Sequence, residues 1–247
     1  MTVERDGRIA VVTLDRPPNN LLDLDLVSEL AATLEGLGDD CRAVVLAANG
    51  KHFCAGMDVA RAPDRRDVPR NPLYEQAVRI FRAPVPIVAA VQGAAIGGGL
   101  GLALVADIRV ACTTTRMAAN FARLGIHPGF GMSVTLPAIV GQQRALELLY
   151  TGRSVTGDEL GAIGLADRVV EPDALLDSAL AFAEEIAGSA PLAVRAIRAT
   201  QRRAVAEQLA TATLQEHTAQ QQLFPTADAA EGMLAARERR PPTFVGR

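Results

Sequence analysis

The chain has 247 residues, of which 49% are hydrophobic and 21% are charged. This length and composition suffice for one large domain with a buried core, or for a domain with an appendage, and they exclude a disordered polyelectrolyte. The formal net charge of -3 excludes an overall positive field of the kind that holds nucleic acid, so no nucleic-acid partner is expected.

The first half of the chain predicts short strands that alternate with helices. A β-branched segment follows the turn at Gly7, and the helical spacing of apolar residues ends at Gly38. The predicted elements are a strand at 8–14 that pairs back on 2–5, a helix at 24–37, and strands at 43–47, 85–91 and 108–111. Because helices separate the strands, we expect crossover connections and a largely parallel sheet. The charged, proline-containing segment 61–71 is predicted to be a mobile loop.

Residues 85–106 are apolar enough to suggest a membrane span. This segment contains Pro86, Gln92 and five glycines, and Asp107 follows it immediately. These residues favour a buried strand that runs into a buried helix, so no membrane span is predicted.

The second half of the chain is predicted to be helical. Helical spacing occurs at 142–150, 157–163, 172–187 and 191–209. Thr156, followed three positions later by a glutamate, is predicted to cap the second of these helices. No strand pattern occurs beyond about residue 188. We therefore predict a core at 1–189 and a helical region at 190–247.

The cysteines and the amino terminus bear on the location of the protein. The chain has three cysteines, an odd number, which argues against a disulfide framework. Its first residues are polar and charged, without the pattern of a signal peptide. We expect the protein to be in the reducing cytoplasm.

The densest glycine cluster, residues 93–101, follows a predicted strand. Glycine lets the backbone approach a ligand, and the start of the next helix offers unpaired N–H groups. The spacing of a dinucleotide fingerprint fails because Leu102 or Leu104 stands at its sixth position, and no lysine follows as it does in a P-loop. N–H groups aimed at a carbonyl oxygen are the favoured interpretation. Phosphate binding and close helix–strand packing are the alternatives.

A second group of polar residues lies at 52–58, after the predicted strand at 43–47. His52 and Cys54 lack the partner pair of a zinc site, so no metal is predicted, and Cys54 is interpreted as buried packing. Ser133 lacks the second glycine of a nucleophile elbow, which argues against a serine hydrolase. The two glycine-containing strand ends could together aim two N–H donors at one thioester oxygen, forming an oxyanion hole.

Two motifs carry a family resemblance. They are FCAGMD at 53–58 and GAAIGGG at 93–99, about forty residues later. On these motifs, and on the segments 14–23, 43–59, 83–111, 124–170 and 238–247, the chain resembles the enoyl-CoA hydratase/isomerase (crotonase) superfamily. The resemblance implies an α/β fold, a crotonase-like spiral of ββα units with a C-terminal helical oligomerisation region. It also implies an acyl-CoA thioester ligand, no cofactor beyond the coenzyme A of the substrate, a homotrimer or a hexamer of two trimers, and a role in fatty acid metabolism.

The resemblance assigns site residues by their position in these motifs. It implies that the backbone N–H groups of Met57 and Gly98 are the oxyanion donors. It places the segment 61–71 where the family has a variable wall of the acyl pocket. The implied substrate-binding residues are Arg16, Leu21, Leu22, Phe53, Ala55, Gly56, Asp58, Gly97, Asn120 and Phe121.

The chain departs from the family pattern at the two glutamates of the hydratases. Gly101 and Phe121 stand at their positions, and neither can transfer a proton. This departure argues against ordinary enoyl-thioester hydration. His127 is a tentative acid or base, with bonding to its own loop as the alternative, and Tyr74 and Asn120 are weaker candidates.

Two classes of function remain from the sequence. The first is an acyl-CoA-processing enzyme, a lyase or an isomerase, that stabilises a thioester enolate. The alternative is a non-catalytic acyl-CoA-binding or regulatory homologue. A nucleotide-dependent oxidoreductase is disfavoured by the glycine spacing.

Overall fold

The computed structural model describes residues 1–58 and 69–247, which form nine strands and nine α-helices. The strands are β1 (Thr2–Asp6), β2 (Ile9–Leu14), β3 (Ala43–Ala48), β4 (Ile87–Val91), β5 (Ala94–Ile96), β6 (Ile108–Cys112), β7 (Arg116–Ala118), β8 (Ser154–Thr156) and β9 (Arg168–Val170). The helices are α1 (Leu24–Gly36), α2 (Pro72–Phe81), α3 (Gly98–Val105), α4 (Met132–Val140), α5 (Gln142–Thr151), α6 (Asp158–Ala162), α7 (Leu175–Ala187), α8 (Pro191–Leu223) and α9 (Ala227–Glu238). Short 3-10 helices lie at Asn120–Leu124 and Pro172–Ala174.

A six-stranded sheet forms the centre, in the order β1-β2-β3-β4-β6-β9. The β1–β2 pair is antiparallel and the other neighbours are parallel. Strand β3 shows why the sheet is buried on both faces. Val44 and Leu46 face the larger core cluster, and Val45, on the opposite face of the pleat, belongs to the cluster that α7 covers.

The remaining three strands form a second, smaller sheet in the order β5-β7-β8. Strand β5 lies between β4 and α3 in the chain, so the glycine-rich corner before α3 follows β5. The predicted end of β4 at residue 91 is confirmed, but the sequence does not predict the second strand, β5, which lies between β4 and the buried helix.

The predicted α/β class, the antiparallel N-terminal pair and the largely parallel sheet are confirmed. The predicted cap at Thr156 is wrong, because this residue ends β8 and Gly157, with φ of +57°, precedes α6. Helix α2 was not predicted. Helix α8 continues to Leu223, beyond the predicted end at 209.

The C-terminal helices pack onto the rest of the molecule. Helix α8 packs on α2 and α4, and α9 packs on the 3-10 helix Asn120–Leu124. Gly232 allows the close approach of α9, because a Cβ atom there would lie 2.5 Å from the carbonyl carbon of Leu124. The division of the chain at residue 189 stays a prediction.

Most of the predicted loop at 61–71 lies outside the described residues, which resume at 69. At its end, Arg70 is exposed, and the Asn71 side chain accepts a 3.1 Å hydrogen bond from Leu73 N and so caps α2. Within the described ranges, no helix is both long and apolar enough to cross a membrane.

Candidate active site

Two corners of the chain come together beside α3. The first follows β3, and the second joins β5 to α3. Cys54 N donates to Ala94 O at 3.0 Å, and Ile96 N donates to Cys54 O at 3.1 Å. Gly99 lets the helix come this close, because a Cβ atom there would overlap the carbonyl oxygen of Cys54.

The first corner holds Met57 against the loop that precedes α1. Leu22 N donates to Gly56 O, and Asp58 N donates to Leu22 O, both at 2.8 Å. These bonds form a parallel bridge between Leu22 and Met57. Leu22 bonds to the two neighbours of Met57, Gly56 and Asp58, and not to Met57 itself. The N–H of Met57 makes no hydrogen bond to any described residue.

At the second corner, the N–H of Gly98 also has no acceptor among the described residues. Gly98 is the first residue of α3, where a backbone N–H has no partner within the helix. The neighbouring N–H groups are satisfied: Gly97 N donates to Ala118 O at 2.8 Å, and Gly101 N donates to Gly97 O at 3.1 Å. Gly98 N has no acceptor within residues 1–58 and 69–247.

Both of these residues line one cavity of about 680 Å³. Its walls are largely apolar, and they come from the two corners, from the 3-10 helix and the segment after it, and from α8 and α9. The apolar side chains of the wall include Met57, Phe121, Leu124, Phe130, Phe224 and Met233. An apolar cavity with a few fixed polar groups is the usual form of a small-molecule site.

Four polar side chains reach this cavity: Tyr74, Asn120, Gln220 and Arg237. Tyr74 Oη donates to Gln220 Oε1 at 2.7 Å, and Gln220 Nε2 donates to the carbonyl oxygen of His127 at 2.9 Å. The buried Oδ1 of Asn120 has no hydrogen-bond partner among the described residues. No carboxyl or imidazole side chain of the described residues lines the cavity.

The two positions at which the resemblance implies glutamates, Gly101 and Phe121, differ in their surroundings. A Cβ atom at Gly101 would lie 2.9 Å from Cβ of Phe130, which is fully buried and has φ of +63°. The space beside Gly101 is therefore filled by Phe130. Phe121 is buried and lines the cavity directly.

His127 and Cys54 have environments that bear on their chemistry. His127 Nδ1 lies 2.8 Å from the carbonyl oxygen of Pro128, which is the contact with its own loop considered above as the alternative. Burial raises the pKa of the Cys54 thiol to about 12, so this residue is a protonated thiol at neutral pH, in agreement with its interpretation as packing.

The structure brings seven of the predicted residues to the cavity wall: Ala55, Gly56, Met57, Gly97, Gly98, Asn120 and Phe121. Six others do not line the cavity: Arg16, Leu21, Leu22, Phe53, Asp58 and His127. Arg16 pairs with Asp23 at 2.5 Å, and Phe53 is fully buried in the core. In the segments that the structure describes, no three His, Cys, Asp or Glu side chains cluster as metal ligands would.

Sequence reasoning missed two kinds of residue. Gln220, Phe224 and Met233 reach the cavity from the C-terminal helices, and no local motif indicates which face of those helices is turned inward. Asn20, with φ of +50°, donates from its side-chain amide to Asn49 O and His52 O, each at 2.8 Å, and so ties the loop before α1 to the first corner.

Comparisons with known proteins agree on one family. The model of the family described as enoyl-CoA hydratase/isomerase matches residues 4–247. The chain is 33% identical over 253 residues to a putative enoyl-CoA hydratase/isomerase of Bacillus subtilis, covering 98% of this chain and 96% of the relative. It is also 33% identical to a short-chain-enoyl-CoA hydratase of Clostridium acetobutylicum, with 96% and 94% covered.

Solved structures show the same likeness. The enoyl-CoA hydratase/isomerase of Pseudoalteromonas atlantica superimposes with a TM-score of 0.88 at 32% identity, and 99% of each chain is covered. An enoyl-CoA hydratase of Mycobacterium avium subsp. paratuberculosis superimposes with a TM-score of 0.85 at 24% identity, and this likeness supports the fold alone. The crotonase-like fold that the sequence resemblance implied is confirmed.

Proposed function

Because the chain belongs to the enoyl-CoA hydratase/isomerase family, we propose that its cavity binds an acyl-CoA thioester and stabilises the enolate of that thioester. The observation that carries this proposal is the pair of backbone N–H groups at Met57 and Gly98. Both residues line one cavity, and neither N–H donates to another described residue.

In this proposal the thioester oxygen accepts hydrogen bonds from both N–H groups. The two donors come from different corners that are hydrogen-bonded to each other, so their directions are fixed before a ligand arrives. Negative charge that develops on the oxygen is then stabilised in a largely apolar cavity, where each donor is worth about 3–4 kcal/mol. The acyl group would lie against the apolar wall that includes Phe121 and Phe130.

The proposed reaction is not ordinary hydration. Hydration needs groups that activate water and move a proton, and no carboxylate or imidazole among the described residues lines the cavity. In a lyase or isomerase reaction through the enolate, the two N–H donors would stabilise the negative charge. A separate base, His127 or a bound water, would take the α-proton and an acid would return it. The role of His127 as acid or base stays a prediction. The variant His127→Ala tests it: full activity would remove the imidazole from the mechanism.

A second candidate function is an acyl-CoA-binding or regulatory protein. The same lack of a titratable carboxylate or imidazole in the described cavity wall favours it. Incubation with enoyl-, 3-hydroxyacyl- and β-ketoacyl-CoA thioesters, followed by mass spectrometry, distinguishes the two functions. More than one product molecule per protein molecule supports the enzyme, and binding without turnover supports the alternative.

The variant Gly98→Pro tests the oxyanion donors, because proline has no N–H. Gly98 occupies the first position of α3, where proline is accepted in helices. Gly98→Ala is the matched control. It keeps the N–H, and its added Cβ would lie 3.1 Å from a terminal methyl group of Leu22. We expect Gly98→Pro to lose about 10²–10³-fold in turnover while Gly98→Ala keeps most of it. Equal turnover in folded samples of both variants would refute the role of this N–H.

Three further features belong to the proposal. The protein would need no cofactor beyond the coenzyme A of its substrate. It would assemble as a homotrimer or as a hexamer of two trimers, which native mass spectrometry would detect. It would act in the cytoplasm, in fatty acid metabolism.

A further inference from the structure

A second, smaller cavity lies between α8 and the core, and it shares no lining residue with the acyl cavity. Its volume is about 230 Å³. It is bounded by the corner between α3 and β6, by α4, and by the first half of α8. Its polar side chains are Asp107, Arg109, Thr135, Arg198, Gln201 and Arg202.

Two buried polar atoms on residues of this wall have no partner in the described chain. Arg198 is only 8% exposed; its Nη1 donates to Ala83 O and its Nε donates to Asp107 Oδ2 at 2.9 Å, but its Nη2 donates to nothing. The hydroxyl of Thr135 in α4, a residue that is 2% exposed, is also unpaired. Leaving such groups unpaired in the interior costs free energy, so an occupant with acceptor atoms is favoured.

The charges around the cavity do not balance. Arg109 pairs with Asp167 at 3.1 Å, whereas Arg198 and Arg202 share one carboxylate, that of Asp107, at 2.9 and 2.7 Å. Among the described residues, three guanidinium groups thus face two carboxylates, and one positive charge has no carboxylate to balance it. Water can satisfy hydrogen bonds but cannot neutralise this charge.

The direction in which the pKa of Arg202 is shifted agrees with this excess of positive charge. Burial, the largest cause, lowers the pKa of Arg202, and repulsion from Arg198 and Arg109 lowers it further, against the attraction of Asp107. A bound anion would relieve the repulsion among the three guanidinium groups.

We propose that this cavity binds a small oxyanion, of the class of inorganic phosphate or a carboxylate. One oxygen accepts from Arg198 Nη2 and another accepts from the Thr135 hydroxyl, while the anion supplies the missing negative charge. The bound ion joins α8 to α4 and to the corner before β6. This site is independent of the function proposed for the acyl cavity, because it uses none of its residues.

Thermal unfolding of the full chain in phosphate, acetate and chloride at equal ionic strength tests the site. We expect inorganic phosphate or acetate to raise the melting temperature above that in chloride, by about 4 °C at ten times the dissociation constant. The phosphate and acetate arms show which oxyanion is preferred. This shift in melting temperature indicates binding in the cavity only if substitutions of the cavity residues reduce it.

Thr135→Val removes the unpaired hydroxyl with little change in volume, and Arg198→Met removes the unpaired donor and one charge. Both should lose most of the oxyanion-specific shift. Arg203→Gln, at an exposed position of the same helix, removes one charge outside the cavity and should keep the shift. If Arg198→Met does not fold, Thr135→Val decides. An equal shift in Thr135→Val and in the unchanged protein, or no advantage of oxyanions over chloride, would overturn the proposal and leave water as the occupant.

Discussion

The substitution Gly101→Ala tests how tightly the core is packed at a position where the resemblance implies a glutamate in the family. The added Cβ would meet Cβ, Cδ1 and Cγ of Phe130 at 2.9, 3.0 and 3.1 Å. Phe130 is 1% exposed, and its φ of +63° is a backbone conformation that bulky residues rarely adopt, so its position has little freedom to adjust. Overpacking of this kind costs about 1–3 kcal/mol, which at the middle of that range lowers the melting temperature of a chain of this length by about 4–8 °C.

Urea unfolding and thermal unfolding measure this cost, and Gly36→Ala provides the control. Gly36 ends α1, and a methyl group added there would have nothing within 4 Å, so alanine should be neutral or stabilising by up to about 1 kcal/mol. In the background Phe130→Gly, which removes all three contacting atoms and suits the positive φ, Gly101→Ala should cost nothing. If Gly101→Ala is as stable as Gly36→Ala, the packing of Phe130 does not keep a larger residue out of position 101.

Three further predictions follow from buried polar groups. Tyr74→Phe leaves Gln220 Oε1 without its donor and should lower the free energy of unfolding by about 1–3 kcal/mol in urea titrations, and an unchanged midpoint would contradict the importance of this bond. The Cys54 thiol, with its pKa raised to about 12, should resist alkylation at pH 8 in the folded protein and react in denaturant, so rapid labelling of the native state would refute its burial. Burial, the largest cause, raises the pKa of Glu216 above its ordinary value of 4.5, so the folded state keeps this proton to higher pH than the unfolded chain. Stability of the unchanged protein should then fall relative to Glu216→Gln as pH rises above about 4.5, and parallel pH profiles would show that the shift is absent.

The sequence predicted the parts of the fold that have a strong local pattern. Strand β3 is an unbroken apolar segment after a helix stop, and both of its faces are buried, so its type and its bounds were predicted to within one residue. The three-residue strands of the second sheet could not be predicted in the same way, because strands such as β5 and β7 are too short to show alternation.

The same distinction applies to the candidate site, because only some of its residues lie in a local sequence pattern. The second corner has a local signal, because glycine is needed where α3 approaches Cys54 and the sequence shows a cluster of glycines there. The choice of the N–H groups of Met57 and Gly98 came from the resemblance to the family. Phe130 and Gln220 were not found. Phe130 acts through its contact with Gly101, and Gln220 through its contact with Tyr74 from a helix about 150 residues away in the chain. Such pairings depend on tertiary packing, which no local pattern in the sequence encodes.

The walls of the candidate cavity come from parts of the chain that lie far apart in the sequence. Residues from Gln220 to Arg237 line the cavity, whereas the two corners with the N–H donors are complete more than a hundred residues earlier. Because a chain is synthesised from its amino terminus, the central sheet can form while this wall of the cavity is still missing. A chain cut before residue 220 would keep both corners but would lack the cavity wall that the C-terminal helices supply.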